Sequence, residues 1–279
     1  INPAPEGAPP MIPFLFITIA CGAISGFHGL VSSGTTSKQV ACMTDARPIG
    51  YAGMLGEGTL GLLAVLAATA GFSSAADWHV HYASWGAADG LSAKLGAFVN
   101  GGASFVAALG VPLETAKTFM AVMVIAFAAT SLDTGARIQR LVIAELAEAY
   151  GVRALTNRYV AGAVGIGAAL LLAVTAGGGK GGLALWPLFG TTNQLVAGVT
   201  LLVVSVWLRS RGKSALYTLV PMVFVAATTI WAMSAEVLGY FAHFDTQALL
   251  ALSGVTILAL DVWVLLEGLR LLAAPRAAK

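Results

Sequence analysis

Charge is scarce in this sequence. Only 10% of its 279 residues are Asp, Glu, Lys or Arg, 58% are hydrophobic, and the mean hydropathy is +0.84. A water-soluble domain carries about 25% charged residues, so a soluble enzyme or binding module is excluded and the chain reads as an integral membrane protein. Period-two alternation is also missing. Apolar runs of about 20 residues between polar gaps argue for helices and against a membrane barrel. Cysteine is nearly absent: Cys21 falls in a span and Cys42 in a loop, which makes no disulfide framework. No basic cluster interleaved with aromatics points to nucleic acid. Asp77, His79 and His81 lack the further spaced ligands of a metal site and read as solvated. GGGKGG at 177–182 lacks the spacing of a phosphate loop and a Ser or Thr after Lys180, so it reads as an external turn. No cofactor is implied. The chain opens at Ile1, and INPAPEGAPP has no basic stretch of a signal peptide, so an earlier part of the protein is expected to be missing.

What is there is apolar and periodic. Seven spans are predicted, at 11–33, 50–72, 113–134, 158–176, 183–208, 215–235 and 247–270. If the first runs inward, twelve of the fifteen Lys and Arg fall on the cytoplasmic side, leaving Lys94, Lys117 and Lys180 outside. The positive-inside rule then places the N-terminus outside and the C-terminus in the cytoplasm. The segment 73–112 is too polar and glycine-broken to span; its Trp78, Tyr82 and Trp85 suit the interface, and 91–109 reads as short helices over the outer face. ARIQRLVIAELAEAYG (136–151) reads as an amphipathic connector on the cytoplasmic surface.

The first span carries the strongest functional signal. PFLFITIACGAISGFHGLVSSGTT (13–36) begins as a membrane helix, then fills with Gly22, Ser25, Gly26, His28 and further glycines and serines. Each glycine costs about 1 kcal/mol in a helix interior. Backbone unwinds at membrane depth only where protein or a water-filled cavity satisfies it, so a break here marks a midplane site. Close helix packing through Gly22-x-x-x-Gly26 is the plainer alternative. Three further polar groups lie at that depth. Thr130, Ser131 and Asp133 close the third span, and Asp133 stands four residues before Arg137, at ion-pair spacing. Thr191, Thr192, Asn193 and Gln194 interrupt the fifth span, either as a site or as interhelical hydrogen bonds. Glu57, among glycines, and Asp261 are intramembrane carboxylates, which default to a functional role. The glycines around Glu57 suggest close helix packing there. A membrane hydrolase built on Ser25 and His28 lacks the third orienting group, so no enzyme is expected.

FLFITIACGAISGFHGLVSSGTTSKQV, GYAGMLGEGTLG, FAATSLDTGARIQR and WPLFGTTNQLVAG together resemble the CstA carbon-starvation family, from residue 13 to about 200. Its members are inner-membrane carriers described as peptide transporters, some taking up pyruvate with protons. They are grouped with the amino acid–polyamine–organocation carriers of LeuT type. The resemblance implies an all-α, polytopic fold of about seven transmembrane helices, the second repeat of a LeuT-type inverted-repeat transporter plus two extra helices. Residues 1–208 would form the transport core, with the discontinuous helix at 11–33 and the external loop at 73–112. Residues 209–279 would add two appended helices and a short cytoplasmic tail. Substrate binding is expected at Gly22, Ser25, Gly26, His28, Thr191, Asn193 and Gln194, and ion or proton coupling at Glu57, Thr130, Ser131 and Asp133. The expected partners are a small-molecule substrate, a coupling ion (proton, with sodium as the alternative), the lipid bilayer and the missing N-terminal repeat. Substrate identity stays open between small carboxylates such as pyruvate and short peptides. A channel or a non-transporting subunit of a membrane complex is the competing function.

Overall fold

The computed structural model describes residues 11–23, 25–88, 90–175, 182 and 185–273. The opening decapeptide and most of GGGKGG lie outside them, as do Arg276 and Lys279. Every regular element among the described residues is helical. Among the described residues five helices are long and apolar enough to cross a membrane, so the chain is a polytopic membrane protein. They fall in two compact units, one built on residues 37–158 and one on 11–36 with 159–273.

In the first unit, α3 (Ala46–Ala70) and α6 (Leu113–Ala149) both pack against α5 (Leu91–Ala108). That contact depends on small residues: Ala67, Ala97, Ala103 and Ala116 are buried, with Met120 filling the space beside them. At Gly101 any Cβ would overlap the Ala67 carbonyl, so only glycine allows this approach. Ser104 Oγ donates to the Gly71 carbonyl at 2.8 Å, and Tyr82 Oη to the Ala68 carbonyl at 2.7 Å, closing the C-terminal end of α3. Between them, α4 (Ala75–His81) is capped by Ser74, whose hydroxyl accepts from the Asp77 N–H at 3.1 Å. Hydrogen bonds from the Ser73 and then the Ser74 hydroxyl hold the Asp77 carboxyl below its ordinary range. The expectation of short helices at 91–109 gives way to one helix of 18 residues. Residues 136–151 are not a separate connector, because α6 runs unbroken for 37 residues through the polar segment. With no Pro or Gly pair between 131 and 149, nothing there stops the helix. The unit also contains α7 (Arg153–Thr156).

In the second unit, a short segment (Met11–Leu15) that is extended at Ile12 leads into α1 (Phe16–Ala23), and α2 (Gly26–Gly34) follows a break. Then come α8 (Arg158–Thr175), α9 (Trp186–Ser210), α10 (Leu216–Ala242) and α11 (Phe244–Ala273). The last three pack mutually around two apolar clusters, one of Leu188, Leu195, Met233 and Val237 and one of Leu202, Met222, Ala226, Leu265 and Leu272. In lipid such burial stabilises by close van der Waals packing, since hydrocarbon outside is as apolar as the core. The predicted sixth span, 215–235, was too short: α10 continues to Ala242 and brings Glu236 and Tyr240 inside the helix.

Candidate functional site

The predicted break in the first span is present. α1 ends at Ala23 and α2 begins at Gly26, with Ser25 extended between them (φ −76°, ψ 132°). Ser25 is the N-cap, its Oγ accepting from the Phe27 N–H at 3.2 Å. The same N–H donates to Asn193 Oδ1 at 2.9 Å. Asn193 Nδ2 donates to Ser25 Oγ at 2.9 Å and to Cys21 Sγ at 3.1 Å, and Ser25 Oγ also lies 3.2 Å from Asn193 Oδ1. One side chain of α9 therefore ties together both sides of the break. Gly26 makes this possible, because a Cβ there would overlap the Asn193 carbonyl and come within 2.7 Å of the Ala197 nitrogen. Gly26 thus serves close packing at the break itself.

Thr191 and Gln194 lie on the same stretch of α9, each 1% exposed. Thr191 Oγ1 is 3.1 Å from the Leu188 carbonyl, 2.9 Å from Glu236 Oε2 on α10 and 3.7 Å from Met233 Sδ. Neither amide atom of Gln194 has a hydrogen-bond partner among the described residues. Asp261, 7% exposed on α11, likewise has its Oδ2 unmatched. Buried polar groups left so cost about 1–3 kcal/mol each, which proteins tolerate chiefly at sites that bind something.

The structure therefore brings Ser25, Gly26 and Asn193 together, with Thr191 and Gln194 adjoining on α9 and Gly22 in α1. His28 stands on α2 with an exposed side chain, while its N–H turns back to the Ser25 carbonyl at 3.2 Å. Glu57, Thr130, Ser131 and Asp133 belong to the first unit, all exposed. Thr130 Oγ1 donates to the Phe127 carbonyl at 2.9 Å, and the expected Asp133–Arg137 pair is formed at 3.0 Å. The close packing expected around Glu57 is not found, since a Cβ at Gly53, Gly56, Gly58 or Gly61 would meet nothing within 4 Å. The reason is that α3 meets α5 near Ala67 and Gly71, farther along the helix. In the segment 73–112 His81 lies tilted against Phe72 and edge-on to Tyr82, and Asp77 is held by serines.

Two participants escaped the sequence reading. Glu236 had a signal, a lone carboxylate in an apolar helix, but ending the span at 235 left it outside. Cys21 had none, because a thiol matters here only through a partner 172 residues away.

Comparison with known proteins comes last. The family described as carbon starvation protein CstA matches residues 4–76 and 79–232. A peptide transporter CstA of Campylobacter jejuni is 33% identical over 280 residues, covering 82% of this chain and 39% of the relative. One of Helicobacter pylori is 34% identical over 285 residues, covering 83% and 41%. The pyruvate/proton symporter BtsT of Escherichia coli is 61% identical over 59 residues, 21% of this chain and 8% of that protein. The chain spans about two fifths of the length of the first two relatives. No solved structure matches.

Proposed function

The chain belongs to the carbon starvation protein CstA family, and from that premise we propose that it forms part of a proton-coupled secondary transporter for small carboxylates or short peptides. The observation that carries this reading is the broken helix. α2 starts inside the stretch read from the sequence as the first span, and offers its Phe27 N–H to an oxygen acceptor. Free N–H groups at a helix N-terminus carry roughly +0.5 charge, a seat suited to a carboxylate. Asn193 Oδ1 holds that seat with the same kind of acceptor atom a carboxylate supplies, and a substrate carboxylate would take its place. Pyruvate and a dipeptide both present such a group, and the names of the relatives support both substrates.

In this reading Gly22, Ser25, Gly26, His28, Thr191, Asn193 and Gln194 form the substrate site. His28 supplies a hydrogen bond or, when protonated, a full positive charge. Thr130 and Ser131, with Asp133 and Glu57, serve the coupling ion. The protein works in the inner membrane during nutrient starvation, N-terminal end of this chain outside. A LeuT-type partner repeat, outside this chain, completes the site from the other side.

Initial uptake of radiolabelled pyruvate and of a dipeptide by the full-length protein, against concentration and pH, tests this. Losing a hydrogen bond to a buried charge costs about 1.5–3 kcal/mol, so His28→Ala should weaken substrate affinity roughly 10- to 150-fold. Thr130→Ala should shift the dependence on proton or sodium concentration. Wild-type curves from both variants would show the site to be assigned wrongly.

A further inference from the structure

We propose that Glu236, held by Thr191, is a proton-binding site linked to the substrate seat through one turn of α9. The inference rests on the carrier reading and adds to it a second group for the coupling proton, in the unit that holds the substrate seat. Its basis is hydrogen-bond accounting at Thr191. A threonine hydroxyl has one proton to donate and lone pairs to accept with. Thr191 Oγ1 lies within donor range of both the Leu188 carbonyl (3.1 Å) and Glu236 Oε2 (2.9 Å), and cannot serve both fully. The Leu188 carbonyl does not depend on it, since Thr192 Oγ1 already donates there at 2.6 Å. With Glu236 ionised, Thr191 gives its proton to the carboxylate. With Glu236 protonated, the acid donates to Thr191, whose own proton turns back to Leu188. Neither state orphans a buried group, so either charge form is accommodated without the desolvation penalty of an unmatched partner.

The neighbouring charges do not fix one state. Among the described residues Glu236 has no ion-pair partner. On α9 the charged side chain is Arg209, eighteen residues beyond Thr191 and about 27 Å along the axis. On α11 the charged residues are Asp245, Asp261, Glu267 and Arg270. Gly254 facing Val237 and Leu188 sets the register, so Asp261 lies about 10 Å to one side of that level, and Asp245 lies on the other side beyond the non-helical Gln247. Glu267 and Arg270 lie farther still and pair with each other at 3.1 Å. α1 brings only Cys21, and Met11–Leu15 brings nothing titratable. On its own helix Tyr240 follows one turn on, its hydroxyl buried and unmatched. Exposed His243 caps the helix a turn farther, its Nδ1 3.3 Å from the Gly239 carbonyl. Two side-chain oxygens in contact suit a proton, which needs one lone pair. A hard metal cation takes about six oxygen ligands.

The link to the substrate follows from spacing. Thr191 precedes Asn193 by two residues, and Asn193 Oδ1 occupies the seat at the Phe27 N–H. Any rotation of this turn that frees the seat also moves Thr191 against Glu236. A proton taken up from the outer water by a lone pair of Glu236 is thereby coupled to the exchange of Asn193 for substrate, and is lost to the inner water when the turn returns.

The test uses the full-length protein in liposomes with pyruvate and a dipeptide as probes. One proton per substrate drives about 10-fold accumulation per pH unit of gradient. Glu236→Gln keeps a hydrogen bond to Thr191 but cannot titrate. It should still show saturable counterflow at equal pH, while gradient-driven accumulation falls to simple equilibration. Thr191→Val should move the pH of half-maximal uptake, and Thr191→Ser should restore it. Wild-type accumulation by Glu236→Gln would overturn the assignment, as would an unmoved pH profile in Thr191→Val should the glutamine variant not fold. Absence of saturable counterflow in the wild-type protein would instead overturn the carrier reading.

Discussion

Removing both acceptors of the Phe27 N–H should cost more than the sum of removing each. In the native chain that donor sees Asn193 Oδ1 at 2.9 Å and Ser25 Oγ at 3.2 Å. Ser25→Ala deletes the cap, a loss of about 1 kcal/mol, but Asn193 still receives the N–H. Asn193→Ala removes the shorter bond and leaves Ser25 as acceptor, again at a cost of about 1–2 kcal/mol. The double variant leaves the donor with no partner in a membrane interior, where water does not substitute. That adds about 1–3 kcal/mol. Each single variant already loses the Asn193 Nδ2–Ser25 Oγ bond and the sum counts that loss twice, so the net excess over the sum is roughly 0.5–2 kcal/mol. The assay is a double-mutant cycle on the purified full-length protein, followed by equilibrium unfolding in mixed detergent micelles. Residues in one network show interaction energies of about 0.5–3 kcal/mol. Additivity within about 0.5 kcal/mol would refute the shared-donor geometry and, with it, the seat for a carboxylate.

The basic asymmetry predicts that Ser37→Cys and Ser214→Cys, in a Cys42→Ser background, resist an impermeant thiol reagent in intact cells while Ser84→Cys reacts; labelling at 37 but not at 84 would invert the orientation. Gly26→Ala must push α2 off α9 and should destabilise by about 1–3 kcal/mol, whereas Gly58→Ala, whose Cβ meets nothing within 4 Å, should be neutral or stabilise by up to about 1 kcal/mol. Thermal unfolding of the two side by side checks this, and equal losses would contradict it. Since the chain spans about two fifths of its relatives and the proposed site lies between repeats, the 279 residues reconstituted alone should not take up pyruvate or dipeptide. Saturable uptake by them would sink the two-repeat reading.

Local chemistry was enough to decide the membrane class, the helical character and the break. Apolar runs with few charges have no other stable form in lipid, and Gly22, Ser25 and Gly26 weaken one helix wherever that helix packs. The Asp133–Arg137 pair was legible for the same reason, because four residues is one helical turn. Local pattern also misled: polar residues after 134 looked like a new surface helix, yet α6 continues because no breaker interrupts it. What pairs with what was settled only by tertiary structure. Asn193 reaches Ser25 across 168 residues of sequence, and Thr191 reaches Glu236 across 45. Four consecutive polar residues on α9 cover most of a helical turn. Sequence shows that they cannot share a face, but the packing of α2 and α10 on different sides of α9 determines which residue meets which partner. Helix register is a property of the packed assembly, set by where Gly26 and Gly254 let helices close in, and no local propensity encodes it.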